Sequence, residues 1–159
     1  MKINSEDLSS EVDDNSDFEN LDNSIEKVKL SPDDQFQIAF DMLRAQKFDQ
    51  AKDALEQFIS ENSENDLSGS AHYWLGEIHL LQKEFREAAL VFAEGYQKFP
   101  KSIKAPDMLY KLSNALVNID KDLEACNILK KLSNEFPKNQ LSEKSNTKYI
   151  DLNCDESIQ

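Results

Sequence analysis

The sequence predicts an all-α solenoid of three helix-turn-helix repeats with a period of 37, preceded by a disordered acidic N-terminal arm. Two observations carry that fold class. Small and large residues return every 37 positions: Ala39, Gly76 and Ser113; Ala51, Ala88 and Ala125; Leu55, Phe92 and Leu129. Within each copy the apolar residues follow helical spacing, interrupted by a short polar turn. A fixed period of this size marks supersecondary units that stack on their neighbours. Such stacks present a binding surface rather than a catalytic pocket.

The arm comes first. Residues 1–30 carry nine acids against Lys2, Lys27 and Lys29, with serine and asparagine filling much of the rest. So little apolar area cannot offset the entropy of ordering, which predicts disorder. Phe18, Leu21, Ile25 and Val28 are spaced 3, 4 and 3. That a/d pattern spans under two heptads, too few to hold a coiled coil alone. It reads as the end of a longer coiled coil, as a helix packed on the first repeat, or as chance.

The three repeats span about 31–63, 69–100 and 105–137. Ser31 fits an N-cap and Pro32 the first helical position, with Asp33 and Asp34 favourable in the first turn. Phe36, Ala39, Phe40 and Leu43 continue that helix, Ala45-Gln46-Lys47 breaks it, and Phe48 to Ile59 form the second. A polar loop over 62–69 leads to helices over Ser70–Leu81 and Phe85–Lys98, then from Ala105 to about Asn118 and over Leu123–Glu135. Pro100 and Pro137 stand just past helix ends, where they cannot continue the ladder. Residues 138–159 are polar and form a tail or a short capping helix, since a solenoid end needs a solvated face.

The spacing has a packing reason. Antiparallel helices approach closely only at small side chains, supplied by Ala39, Gly76 and Ser113 against Ala51, Ala88 and Ala125. Leu55, Phe92 and Leu129 then fill the space between repeats. The motif resembles the tetratricopeptide repeat: a glycine, an alanine twelve on, an aromatic four further and a terminal proline, in Gly76, Ala88, Phe92 and Pro100. It departs where Gln46, Lys83 and Asp120 replace the turn glycine and Ser63 the first proline.

Tyr73-Trp74-Leu75-Gly76 and Phe99-Pro100-Lys101-Ser102, with the 37-residue period, are similar to the C-terminal domain of the YbgF/CpoB family. Those are periplasmic proteins of the Tol–Pal system that coordinate outer-membrane constriction with peptidoglycan synthesis at division. The resemblance covers about residues 33–137. It implies a periplasmic adaptor whose partner is TolA or a cell-wall synthesis complex. No secretory signal opens the chain at Met1-Lys2-Ile3-Asn4. Read alone, that leaves a cytoplasmic scaffold or chaperone adaptor, or a periplasmic protein whose leader is missing. A third reading is a purely structural module that trimerises or extends a larger assembly through residues 1–30.

A formal net charge of −13 argues against nucleic acid and anionic membranes as partners. It suits a basic protein surface, or solubility alone. No apolar run approaches the length of a membrane span. Cys126 and Cys154 would pair if the tail folded back onto the third repeat; two free thiols are the expectation.

In stacked repeats the first helices line the concave face. Phe36, Tyr73 and Tyr110 are 37 apart, as are Phe40, Glu77 and Asn114. These six are the expected protein-binding residues, the rings anchoring a partner helix or extended segment. The competing reading is that the rings pack on the adjacent repeat. A cochaperone-type carboxylate clamp is disfavoured, since only Asn114 suits it. His72 and His79 lie seven apart, too far to chelate one ion alone, and are expected to be isolated surface residues. With no paired catalytic groups and no glycine-rich phosphate loop, neither an enzyme nor a cofactor or metal site is expected.

Overall fold

A computed structural model describes residues 29–157 of the 159-residue chain. The acidic-arm reading and the Phe18–Val28 pattern lie outside the described residues. Within them the chain forms α1 (Pro32–Arg44), α2 (Phe48–Glu61), α3 (Leu67–Leu81), α4 (Phe85–Lys98), α5 (Ala105–Val117), α6 (Asp122–Glu135), α7 (Gln140–Asp151) and the short α8 (Cys154–Ser157). Consecutive helices pack on each other, making an all-α tetratricopeptide-type solenoid.

Ser31 caps α1, its side chain accepting from Asp34 N at 3.1 Å, with Pro32 at the helix start. Each pair turns identically. Gln46, Lys83 and Asp120 hold φ of 59°, 60° and 59°. The following amides reach five residues back: Lys47 N to Met42 O at 3.0 Å, Glu84 N to His79 O at 2.8 Å and Lys121 N to Leu116 O at 2.9 Å. These bonds satisfy helix-end carbonyls in the way a left-handed cap requires. A left-handed non-glycine residue costs about 1–2 kcal/mol.

The junctions between pairs repeat as well. Asn65 Oδ1 accepts from Leu67 N at 2.9 Å, Ser102 Oγ from Lys104 N at 3.2 Å and Asn139 Oδ1 from Leu141 N at 2.9 Å. The first of these starts α3 at Leu67, so the loop expected over 62–69 is shorter than its polarity suggests. Gly69 lies inside the helix because the chain passes close by: a Cβ there would sit 2.7 Å from Ser102 Oγ.

The core runs along the stack. Leu55 and Phe58 of α2 join Ala71, Leu75 and Ile78 of α3 in one buried cluster. One period on, Phe92 joins Met108, Leu112 and Ala115. Gly76 leaves room for the Phe92 ring, whose Cε1 would lie 2.5 Å from an added Cβ.

At the C-terminal end α7 takes the place of a fourth first helix. Its buried contacts are polar: Ser142 Oγ donates to Phe136 O at 2.5 Å and Ser145 Oγ to Leu129 O at 2.7 Å. The tail folds back, and Cys126 of α6 is bonded to Cys154 of α8, which corrects the expectation of free thiols. The turn at Leu152-Asn153 after α7 returns the chain to α6, where both sulfurs are buried. Cys126 occupies the repeat position of Lys52, which ties α2 to the next repeat through Glu84 at 3.5 Å. The position between them is Ala89.

Candidate functional site

The first helices of successive pairs touch: α1 meets α3, α3 meets α5 and α5 meets α7. The backbones of the second helices α2, α4 and α6 approach one another less closely and meet through long side chains, as where Tyr96 of α4 donates to Glu135 of α6. The stack therefore curves with its first helices on the inner face.

One ladder runs along that face with a constant step of 34. The Phe40 and Trp74 rings meet edge to face at 5.3 Å between centroids. Lys111 Nζ lies 2.9 Å from Glu77 Oε1 and 3.0 Å from Oε2. Lys148 donates a hydrogen bond to Asn114 Oδ1. The step is one period less one turn, because neighbouring first helices are offset by about three residues.

The six expected residues separate by depth. Phe36 stacks on Phe40 at 6.3 Å and meets Phe58 edge to face at 5.6 Å, at the margin of the first core cluster. Tyr73 is only 7% exposed and packs on Phe92 and Trp74, so it belongs mainly to the core between the second and third pairs. Burial pushes its phenol up to about 12, with Glu77 and Asp107 adding to the shift. Tyr110 is half-buried beneath the Lys148 ammonium, 5.8 Å from its ring centroid. Phe40, Glu77 and Asn114 form one side of the ladder.

Four residues of the face were not among the six expected binding residues: Trp74, Lys104, Lys111 and Lys148. Lys104 Nζ stands 4.6 Å from the Tyr73 ring centroid and 5.4 Å from that of Trp74. Burial lowers the Lys148 pKa. Trp74, Lys111 and Lys148 are themselves 37 apart, a signal that the period contained. The face thus combines aromatic anchors with fixed cations, chemistry suited to a polypeptide carrying apolar and acidic side chains.

The histidines are not surface residues, which corrects the expectation for both. His72 is 2% exposed because it sits on the face of α3 covered by α4, with Gly95 admitting its Cβ. Its Nδ1–H donates to Ser68 O at 2.6 Å, and desolvation lowers its pKa. His79 donates to Glu84 Oε2 at 2.6 Å, a bond that is the main cause of the lowered Glu84 pKa. Both serve packing between helices. No group of three or more metal-ligating side chains occurs among the described residues.

Two tetratricopeptide-repeat family models match the chain, one over residues 39–103 and one over 107–139. Together they take in more than half of it and include every ladder residue but Lys148. The chain carries a tetratricopeptide-repeat domain. No curated protein matches it. No helix among the described residues is long and apolar enough to cross a membrane.

Proposed function

We propose that this tetratricopeptide domain is a non-enzymatic adaptor that receives a partner segment on its inner face. The carrying observation is the ladder from Phe40–Trp74 through Glu77–Lys111 to Asn114–Lys148, which lines three successive contacts of first helices with aromatic and charged groups. The resemblance of Tyr73-Trp74-Leu75-Gly76 and Phe99-Pro100-Lys101-Ser102 to the YbgF/CpoB family suggests the setting: a bacterial periplasm, with TolA or a cell-wall synthesis complex as partner. The Cys126–Cys154 bond supports that setting, since structural disulfides persist in oxidising compartments and are rare in the cytosol.

Trp74 is the single tryptophan of the chain and lies on the ladder. Its fluorescence therefore reports occupancy of the inner face. Titration with a tryptophan-free periplasmic segment of TolA should shift its emission, with micromolar affinity typical of a modest interface. Phe40→Ala and Tyr110→Ala should weaken that binding while far-UV circular dichroism stays helical. Unchanged emission with TolA and with the wall-synthesis proteins would remove the Tol–Pal partners. Recovery of the native protein from a cytoplasmic fraction with both thiols reduced would point instead to a cytoplasmic scaffold.

A further inference from the structure

The N-terminal end of the stack carries a groove that its later repeats close. It encloses about 730 Å³ between α1 and α2, with Leu30, Gln35, Ile38, Ala54, Gln57 and Phe58 on its walls. One period on, the corresponding groove beside His72, Leu75, Val91 and Glu94 is reduced to about 220 Å³. Glu56, Ile59 and Ser60 of the preceding helix α2 fill it. The exposure of one repeat position records the difference. Leu75 and Leu112 are each 5% exposed, whereas Ile38 is 42% exposed.

We propose that residues 17–25 of this chain occupy the groove as a half-repeat, standing where the second helix of a preceding pair would stand. The period identifies the occupant. Phe18 lies 37 residues before Leu55 and Leu21 lies 37 before Phe58. Leu55, Phe92 and Leu129 are the large residues that pack on the next first helix, each 1% exposed or less. Asn62, at the end of α2, corresponds to Ile25. The chain length also fits. Five to six residues separate a second helix from the next first helix, as between Glu61 and Leu67 or Lys98 and Ala105. The same gap before Pro32 places the end of the half-repeat near Ile25, and the connection reaches the groove's own lip at Lys29 and Leu30.

The contact is weaker than those between full repeats. Asp34 and Asp41 stand on α1 where α3 has Ala71 and Ile78, and the occupant carries Asp17, Glu19 and Asp22. Like charges across the seam are screened by salt, so docking strengthens as ionic strength rises. Seated this way, Phe18 and Leu21 are unavailable for a coiled coil between chains.

The test pairs Phe18→Cys with Ile38→Cys in the full chain under mild oxidation, with Asn20→Cys and Ile38→Cys as the off-face control. An intramolecular bond at 18/38, formed faster than at 20/38 and faster still in salt, is the expected result. A bond between two chains, equal rates at both positions, or no bond overturns the proposal. Hydrogen exchange provides an independent readout on the uncrosslinked chain. Phe18→Asp with Leu21→Asp should speed exchange in α1 and α2 roughly tenfold while α5 and α6 stay unchanged. Equal exchange in α1 and α2 with and without the two substitutions also overturns it.

Discussion

Glu77 and Lys111 stand 34 positions apart and meet as a two-oxygen ion pair, with Lys111 Nζ 2.9 Å from Oε1 and 3.0 Å from Oε2. The same step joins Phe40 to Trp74 and Asn114 to Lys148, so one geometric relation is filled by rings, by opposite charges and by an amide with an ammonium. Both ion-pair partners are partly exposed, which limits the energy. A double-mutant cycle with Glu77→Gln and Lys111→Met should give a coupling of about 0.5–1 kcal/mol in urea unfolding. A coupling indistinguishable from zero would mean that the pair only occupies the seam.

Gln46, Lys83 and Asp120 hold left-handed backbone at the same point of three turns. Glycine removes the steric cost and adds freedom to the unfolded chain, so each replacement should stabilise by about 0.5–1 kcal/mol net. Asp120→Gly should gain least, because aspartate tolerates this region better than lysine or glutamine. The triple variant should add nearly linearly, since each substitution relieves its own backbone position. Thermal unfolding of the three single variants checks the ranking.

The Cys126–Cys154 bond closes a loop of 28 residues. Chain entropy assigns it about 3–4 kcal/mol. Full reduction should therefore lower Tm by roughly 10 °C or more, the shift expected for a domain of this size. Amide exchange should rise first in α7 and α8, which depend on the bond for attachment. A Tm change within about 2 °C on reduction would show that α7 is held by its own packing.

Much of this architecture was legible because the buried positions are apolar or small and recur at one spacing. Ala51, Leu55, Ala88, Phe92, Ala125 and Leu129 make the second helices plain. The capping helix α7 was faint for a physical reason: Ser142 and Ser145 fill its buried side with hydroxyls bonded to carbonyls of the preceding segment, leaving little hydrophobic pattern. Trp74, Lys111 and Lys148 share the period, but their pairing with Phe40, Glu77 and Asn114 depends on the three-residue offset between helices, which one-dimensional spacing does not contain. The burial of His72 had a partial signal in Leu109, the apolar residue at the same repeat position.

His72 makes stability depend on pH in a defined direction. Desolvation holds its folded pKa below the ordinary 6.5, so the unfolded chain takes up the proton first. The contribution is fully present above about pH 6.5 and is lost as pH falls toward the folded value. His72→Leu substitutes the residue found at Leu109 and should flatten the dependence between pH 5 and 6.5, above the range where carboxylates titrate. Urea midpoints of both proteins across that window decide it. Parallel slopes would assign the effect to another group.

Gly76 and Phe92 form a matched pair that the neighbouring repeats solve differently. Where α3 has glycine opposite phenylalanine, α1 has Ala39 with Leu55 and α5 has Ser113 with Leu129. A Cβ on Gly76 would lie 2.5 Å from Phe92 Cε1 and 2.6 Å from Cζ. The ring has little room to retreat, being fully buried with Met108 and Leu112 in its cluster. Gly76→Ala should therefore destabilise by about 1–3 kcal/mol despite alanine's better helix propensity. Adding Phe92→Leu reproduces the pairing of the first repeat and should recover part of that loss. Phe92→Leu alone should cost more than it does in the Gly76→Ala background, because it leaves a void beside the glycine. A double-mutant cycle from urea unfolding measures this, and simple additivity would show that the two positions adapt independently.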